Sequence, residues 1–224
     1  MKLLTARMNW IKPAQMAPML SAKYTARDGL VIHGYLTVPV GHQPKNLPLQ
    51  DDIEDAARWA IASGLADPRR IAIMAASYGG YSALFGLGHN PELYRCGIAL
   101  AAVTDWPAIF DDRQGDPTYK KANRHWRQEI GDPDRDSELL KSISPVYFAG
   151  KIKAPVLIIQ GKEDRTVPPD QARRMITALD KAGRILESLF IPDLGHGYGN
   201  EKQRTRIYEA ITVFLEANLG PDVR

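Results

Sequence analysis

Ile71-Ala72-Ile73-Met74-Ala75-Ala76-Ser77-Tyr78-Gly79-Gly80 is the stretch that decides the fold. Ile71 to Ala75 is short and wholly apolar, the composition of a strand buried on both faces of a parallel sheet. Gly79 to Gly88 then reads as a helix. Ser77 falls on the sharp turn between them, where its hydroxyl is pushed out at the end of the sheet with a helix N-terminus behind it. Small neighbours are required there, because strand and helix backbones come close. The pattern is that of a nucleophile elbow, Gly-x-Ser-x-Gly, with Ala75 in place of the first glycine and Gly79 as the second. A serine in an ordinary glycine-rich turn is the competing reading of this stretch taken alone.

Strands and helices alternate on either side. Upstream, Tyr24 to Pro39 holds two apolar stretches around Arg27-Asp28-Gly29, a hairpin signal. Asp51 to Ser63 has acidic residues at its start and an apolar stripe (Ile53, Ala56, Ala57, Ala60, Ile61) at helical spacing. Downstream, Gly97 to Val103 and Pro155 to Gln160 are apolar strands, and Leu186 to Ile191 is the last strand. Helices are predicted from about Asp170 to Lys181 and from about Lys202 to Leu219, and residues 105–143 cover one end of the sheet. This alternation predicts an α/β fold with a mostly parallel sheet. Residues 1–23, with Pro13 and Pro18, read as an irregular arm, and 24–224 as one domain.

Composition narrows the function classes. The chain has 224 residues, 44% hydrophobic and 25% charged, which suits a globular domain and excludes a disordered, collagen-like or coiled-coil chain. A net charge of +3, spread along the chain, gives no reason to expect nucleic acid. The single cysteine, Cys96, excludes an internal disulfide and reads as a small buried hydrophobe. No apolar run approaches the roughly 18–20 residues that span a bilayer, and residues 1–7 show no signal-peptide core. The expectation is a cytoplasmic protein without a membrane partner.

Two later features bear on Ser77. Gly161-Lys162-Glu163-Asp164 follows the strand ending at Gln160, which places an acid at the active-site edge of an open α/β sheet. Asp193-Leu194-Gly195-His196-Gly197-Tyr198 follows the last strand, and its glycines let His196 turn toward that edge. Ser77, Asp164 and His196 each follow their own strand, and serine, acid, histidine is the chain order of α/β-hydrolases. In that arrangement His196 takes the serine proton, Asp164 holds the imidazole tautomer and the Tyr78 backbone N–H faces the oxyanion. Glu163 and Asp193 are the alternative acids. His33, His42, His89 and His125 read as structural or exposed.

The stretches Ser77-Tyr78-Gly79-Gly80-Tyr81, Gly161-Lys162-Glu163-Asp164-Arg165-Thr166-Val167-Pro168 and Gly195-His196-Gly197 resemble the catalytic domain of the prolyl oligopeptidase family of serine peptidases, in its dipeptidyl-peptidase and acylaminoacyl-peptidase-like branch. The resemblance covers about residues 20–219. It implies an α/β-hydrolase fold, a serine acyl-enzyme, peptide or acyl-peptide substrates, and no metal or cofactor. By analogy Val167 and Trp106 border the pocket for the substrate side chain, and simple packing is the alternative for both.

The sequence departs from the family pattern in two ways. The β-propeller that usually precedes this domain is not expected here, and the arm at 1–23 looks like the end of its linker. The chain also runs from Leu49 straight into Gln50-Asp51-Asp52, where the family pattern has two βα units, on the order of 60 residues. No His-Gly-Gly sequence, the usual source of a second oxyanion donor, occurs anywhere. The strand carrying Ser77 must then either pair with the Leu30–Val38 strand or lie at a sheet edge, where pairing between two copies would restore the sheet as a homodimer. Two readings follow: a serine peptidase, with small-ester hydrolysis as a variant, or a catalytically impaired interaction module of the same fold.

Overall fold

Short apolar runs, each ended by Gly, Asp or a change of backbone direction, build a parallel sheet with helices on its faces. The computed structural model describes residues 19–25, 31–37, 53–111, 124, 126–127 and 130–220. Contacts divide the chain into two units, Met1–Ala66 and Asp67–Arg224, and not at the 23/24 boundary drawn from composition.

In the first unit, strands β1 (Met19–Thr25) and β2 (Val31–Thr37) pair antiparallel, with Ala22 opposite Gly34. The expected hairpin is present as paired strands, while Arg27, Asp28 and Gly29 lie outside the described residues. β1 starts before Tyr24, so Met19–Lys23 belong to a strand and not to an irregular arm. Met-Leu-Ser-Ala-Lys has no strong alternation of its own, and its extended form comes from the ladder with β2. Helix α1 (Ile53–Ala62) carries an Arg58–Glu54 pair one turn apart at 2.7 Å and is followed by Gly64, whose φ of 69° is a conformation glycine adopts without strain.

The second unit holds a four-stranded sheet, β3 (Ala72–Ala76), β4 (Cys96–Leu100), β5 (Val156–Gly161) and β6 (Leu186–Ile191), in that spatial order and parallel throughout. Alternate residues face opposite sides of the sheet. On one side Cys96, Ile98, Leu100, Leu157 and Ile159 pack against Ile207, Ile211 and Phe214 of the C-terminal helix α6 (Glu201–Leu219). On the other side α2 (Tyr78–His89) lies on β3 and β4, so near that a Cβ at Gly97 would collide with Leu87. Helix α5 (Pro169–Lys181) covers β5 on the α2 side together with a 3₁₀ segment, Pro145–Lys151. Both faces are therefore covered, and every residue of β4 and β5 is buried. Each such aliphatic side chain contributes roughly 1.5–3 kcal/mol through burial.

The strand predicted over Gly97–Val103 stops at Leu100. Ala101 takes φ 45°, which turns the chain out of the ladder and toward α3 (Trp106–Asp111). Helix α4 (Ser137–Ser142) follows in the covering segment. β3 lies at the edge of the four-stranded sheet and hydrogen-bonds to β4, while β2 pairs with β1 in a separate sheet. Of the two outcomes open to the Ser77 strand, the edge position is the one observed among the described residues. The Leu49–Gln50 junction lies outside them. No described helix is long and apolar enough to cross a membrane.

Candidate active site

Ser77 occupies the one-residue junction between β3 and α2. Its backbone sits at φ 59° and ψ −127°, a strained conformation for a residue with a side chain, of the kind that costs about 1–3 kcal/mol. Local bonds hold it there: the Ser77 N–H donates to the Leu100 carbonyl at 2.8 Å, and the Tyr81 N–H donates to the Ser77 carbonyl at 3.1 Å. The turn leaves no room for side chains behind it. A Cβ at Gly79 would lie 2.9 Å from the Ala75 Cβ, and one at Gly80 would lie 2.9 Å from the Ala102 Cβ and 3.0 Å from the Leu100 oxygen. The alanine at position 75, where the motif has glycine, fits because its methyl faces a residue that has none.

Asp164 reaches the same edge from the far end of β5. It is 3% exposed and its carboxylate accepts four N–H groups. Oδ1 accepts from the Thr166 and Val167 backbone N–H groups, each at 2.9 Å. Oδ2 faces His196 Nδ1 at 2.8 Å and accepts from Gln160 Nε2 at 3.3 Å. A carboxylate only accepts, so Nδ1 carries the proton of the His196 ring, and in the neutral imidazole Nε2 is left as an acceptor. Nε2 lies 2.9 Å from Ser77 Oγ. The structure thus brings Ser77, His196 and Asp164 into one hydrogen-bonded line, from positions 119 and 32 residues apart in sequence.

The loop between β6 and α6 supplies His196. It turns at Asp193 (φ 55°) and Gly197 (φ 146°), and its far end is anchored by a reciprocal cap, in which Asn200 Oδ1 accepts from the Gln203 N–H and Gln203 Oε1 accepts from the Asn200 N–H. The ring of Tyr198 stacks on Tyr208 of α6 at 6.3 Å. Glu163 and Asp193, the alternative acids, are exposed and make no hydrogen bond to His196. His89 stacks on Phe85 at 3.8 Å at the end of α2, a packing role. His33 lies in β2, and His42 and His125 fall outside the described residues.

Beside Ser77 lies an aromatic group. Tyr78, 46% exposed, stacks on Trp126 at 6.0 Å and 10°, and its ring is 5.4 Å from Tyr81 and 6.3 Å from Trp106. Val167 and Trp106 are both 2% exposed and pack in one core cluster with Tyr81, Ile109 and Phe110. Burial pushes the Tyr81 phenol up to about 12. The Tyr78 N–H is the first of α2, one of the donors a helix leaves without an internal partner.

Two buried glutamines escape a reading by motif. Gln171 accepts at Oε1 from the Thr104 and Asp105 N–H groups, each at 2.9 Å, and so ties the segment after β4 to α5. Gln160 sits under Asp164. The signal for Gln160 was visible as one polar residue closing an apolar strand, and its partners depend on how the following loop folds back.

A family model described as the prolyl oligopeptidase family matches residues 43–222. The chain is similar to dipeptidyl peptidase family member 6 of Caenorhabditis elegans, 29% identical over 178 residues, covering 77% of this chain and 24% of that protein. Among solved structures, the acylaminoacyl peptidase of Pyrococcus horikoshii matches at TM-score 0.64 and 26% identity, over 73% of this chain and 26% of the other. A puromycin-hydrolyzing peptidase of Mycobacterium tuberculosis matches at TM-score 0.82 and 18% identity, over 96% of this chain and 41% of the other, a likeness of fold. The chain spans about a quarter of the length of the curated relatives it matches.

Proposed function

The chain belongs to the prolyl oligopeptidase family, and from that membership we propose that it is a serine peptidase that hydrolyses peptide or acyl-peptide bonds through Ser77. The observation that carries the reading is the hydrogen-bonded line from Ser77 Oγ through His196 to Asp164, at 2.9 and 2.8 Å. In the proposed reaction Ser77 Oγ adds to the scissile carbonyl carbon while its proton passes to His196 Nε2. Asp164, accepting from Nδ1, stabilises the imidazolium. The tetrahedral oxyanion takes a hydrogen bond from the Tyr78 N–H. His196 returns the proton to the leaving amine, which leaves an acyl-Ser77 ester. Water then attacks that ester by the same route in reverse. The resemblance implies no metal or cofactor, and this sequence of steps uses none. By family analogy Trp106 and Val167 would border the substrate side-chain pocket, although both are buried in the core cluster beside Tyr81. A cytoplasmic setting is part of the proposal, and cell fractionation tests it.

A fluorophosphonate probe tests the nucleophile directly. The folded chain should be labelled at Ser77, and Ser77→Ala should not be. Equal non-labelling of both proteins would defeat the reading. A panel of p-nitroanilide peptides set against p-nitrophenyl esters then separates peptidase from esterase.

A second reading has an observation of its own. The sequence lacks the His-Gly-Gly stretch that brings the family's second oxyanion donor, and one lost donor costs roughly 10²–10³ in turnover. On that reading the chain is an impaired hydrolase that serves as an interaction module. The edge position of β3 among the described residues fits a homodimer formed by pairing of that strand between copies, and a monomer in analytical ultracentrifugation would exclude the dimer.

A further inference from the structure

Gln160 is a polar residue at the end of a strand whose other members, Val156, Leu157, Ile158 and Ile159, are apolar and buried. Its side chain is buried too, and it reaches three oxygens: Gly161 O at 3.1 Å, Val167 O at 3.2 Å and Asp164 Oδ2 at 3.3 Å, all from Nε2. All three are acceptors, so the amide cannot be turned over without facing oxygen to oxygen. The orientation is therefore fixed by chemistry. Oε1, in contrast, is buried and has no hydrogen-bond partner among the described residues. A buried carbonyl left unpaired costs free energy, and an apolar side chain of the same volume would spare that cost. The strand nonetheless holds an amide there, and only its N–H₂ end is used.

That end ties the loop after β5 to itself at its start (Gly161), its acid (Asp164) and its close (Val167). It also shares Oδ2 with His196 Nδ1. We infer that Gln160 is a positioning residue for the Ser77–His196–Asp164 line: its amide fixes the Asp164 carboxylate in the plane that meets the imidazole. This inference rests on the serine-peptidase reading for its consequence in rate, and on geometry alone for its consequence at His196.

Two variants test it on the full chain. Gln160→Met keeps the volume and removes both the donor and the orphaned carbonyl. Gln160→Glu keeps the shape and replaces the donor by an oxygen. Each is followed by the second-order rate of fluorophosphonate labelling, by the thermal midpoint, and by the proton resonance of His196 Nδ1–H. Both variants should label about 10–100-fold more slowly, the size of loss known for removing the outer hydrogen-bond partner that orients a metal-ligating side chain. Gln160→Met should melt at or above the midpoint of the parent chain, and the Nδ1–H resonance should shift or broaden in both. A purely structural role predicts the opposite pairing, a lower midpoint with unchanged labelling. Labelling of Gln160→Met within twofold of the parent, with the resonance unmoved, overturns the inference. If the parent chain is folded and is not labelled, the peptidase reading fails, and the resonance alone then decides Gln160. If Gln160→Met does not fold, Gln160→Glu carries the same comparison.

Discussion

Strand β5 has a parallel neighbour on each side and is buried along its whole length, whereas β3 pairs with β4 alone among the described residues and leaves Met74 50% exposed. The two strands nonetheless deliver the two ends of one hydrogen-bonded line. β5 delivers Asp164 into a loop where four N–H groups hold the carboxylate. β3 delivers Ser77 into a strained turn held by its own backbone bonds to Leu100 and Tyr81 and by the close fit of Gly79 and Gly80. Sheet burial anchors the acid, and local turn geometry anchors the nucleophile. Among the described residues, the strained elbow is held by one strand neighbour and by the close fit of the following helix.

The sharpest way to break the comparison is chemical. Ser77→Ala should abolish turnover, a loss on the order of 10⁶, and Asp164→Asn should cost about 10⁴ by presenting the wrong partner to Nδ1, both read by hydrolysis of an activated ester. Packing comes next. Ile159→Ala in β5 should destabilise by about 2–5 kcal/mol in a urea titration, against less than about 0.5 kcal/mol for Met74→Ala in β3. Equal losses would mean that β3 is as deeply held as β5.

The elbow itself is tested by a double-mutant cycle. Gly79→Ala should cost about 1–3 kcal/mol, because the new methyl meets Ala75 Cβ. Ala75→Gly in the same chain should recover part of that, with a coupling of about 0.5–3 kcal/mol. Strictly additive losses would show that the two residues do not share the space.

The smallest effect reports on β4, the strand joining the two regions. Burial raises the Cys96 thiol from its ordinary 9.0 to about 11. A group whose folded value is raised contributes stability that is fully present below the unfolded value and is lost as pH rises through the folded one. Stability should therefore fall between pH 9 and 11, and Cys96→Ala should flatten that fall while lowering stability at neutral pH. An identical alkaline slope in both proteins would assign the effect elsewhere.

Much of this was legible along the chain. Short apolar runs located β3, β4 and β5 within a few residues, and β4 and, as far as Ile159, β5 are apolar throughout because both their faces are covered. Ser77-Tyr78-Gly79-Gly80 declared the elbow, because only small residues fit where strand and helix backbones nearly touch. Other features had no local signature. β4 ends at Ala101 through a single backbone angle, in a run that stays apolar to Val103. β1 begins at Met19 because β2 pairs with it. Gln160 looks like an ordinary strand end until the loop after it closes over the amide.

The sequence by itself determined the inventory and the order: a serine at a strand–helix turn, then acids after one strand, then a histidine between glycines after the next. Periodicity and residue size act locally, so they can be read without coordinates. Which acid meets the histidine was decided only by the tertiary structure. Glu163, Asp164 and Asp193 all lie in loops at the same edge, and the parallel pairing of β5 with β6 sets where the two loops meet. Of the three, Asp164 alone turns inward, where backbone N–H groups and His196 replace the water that its neighbours keep.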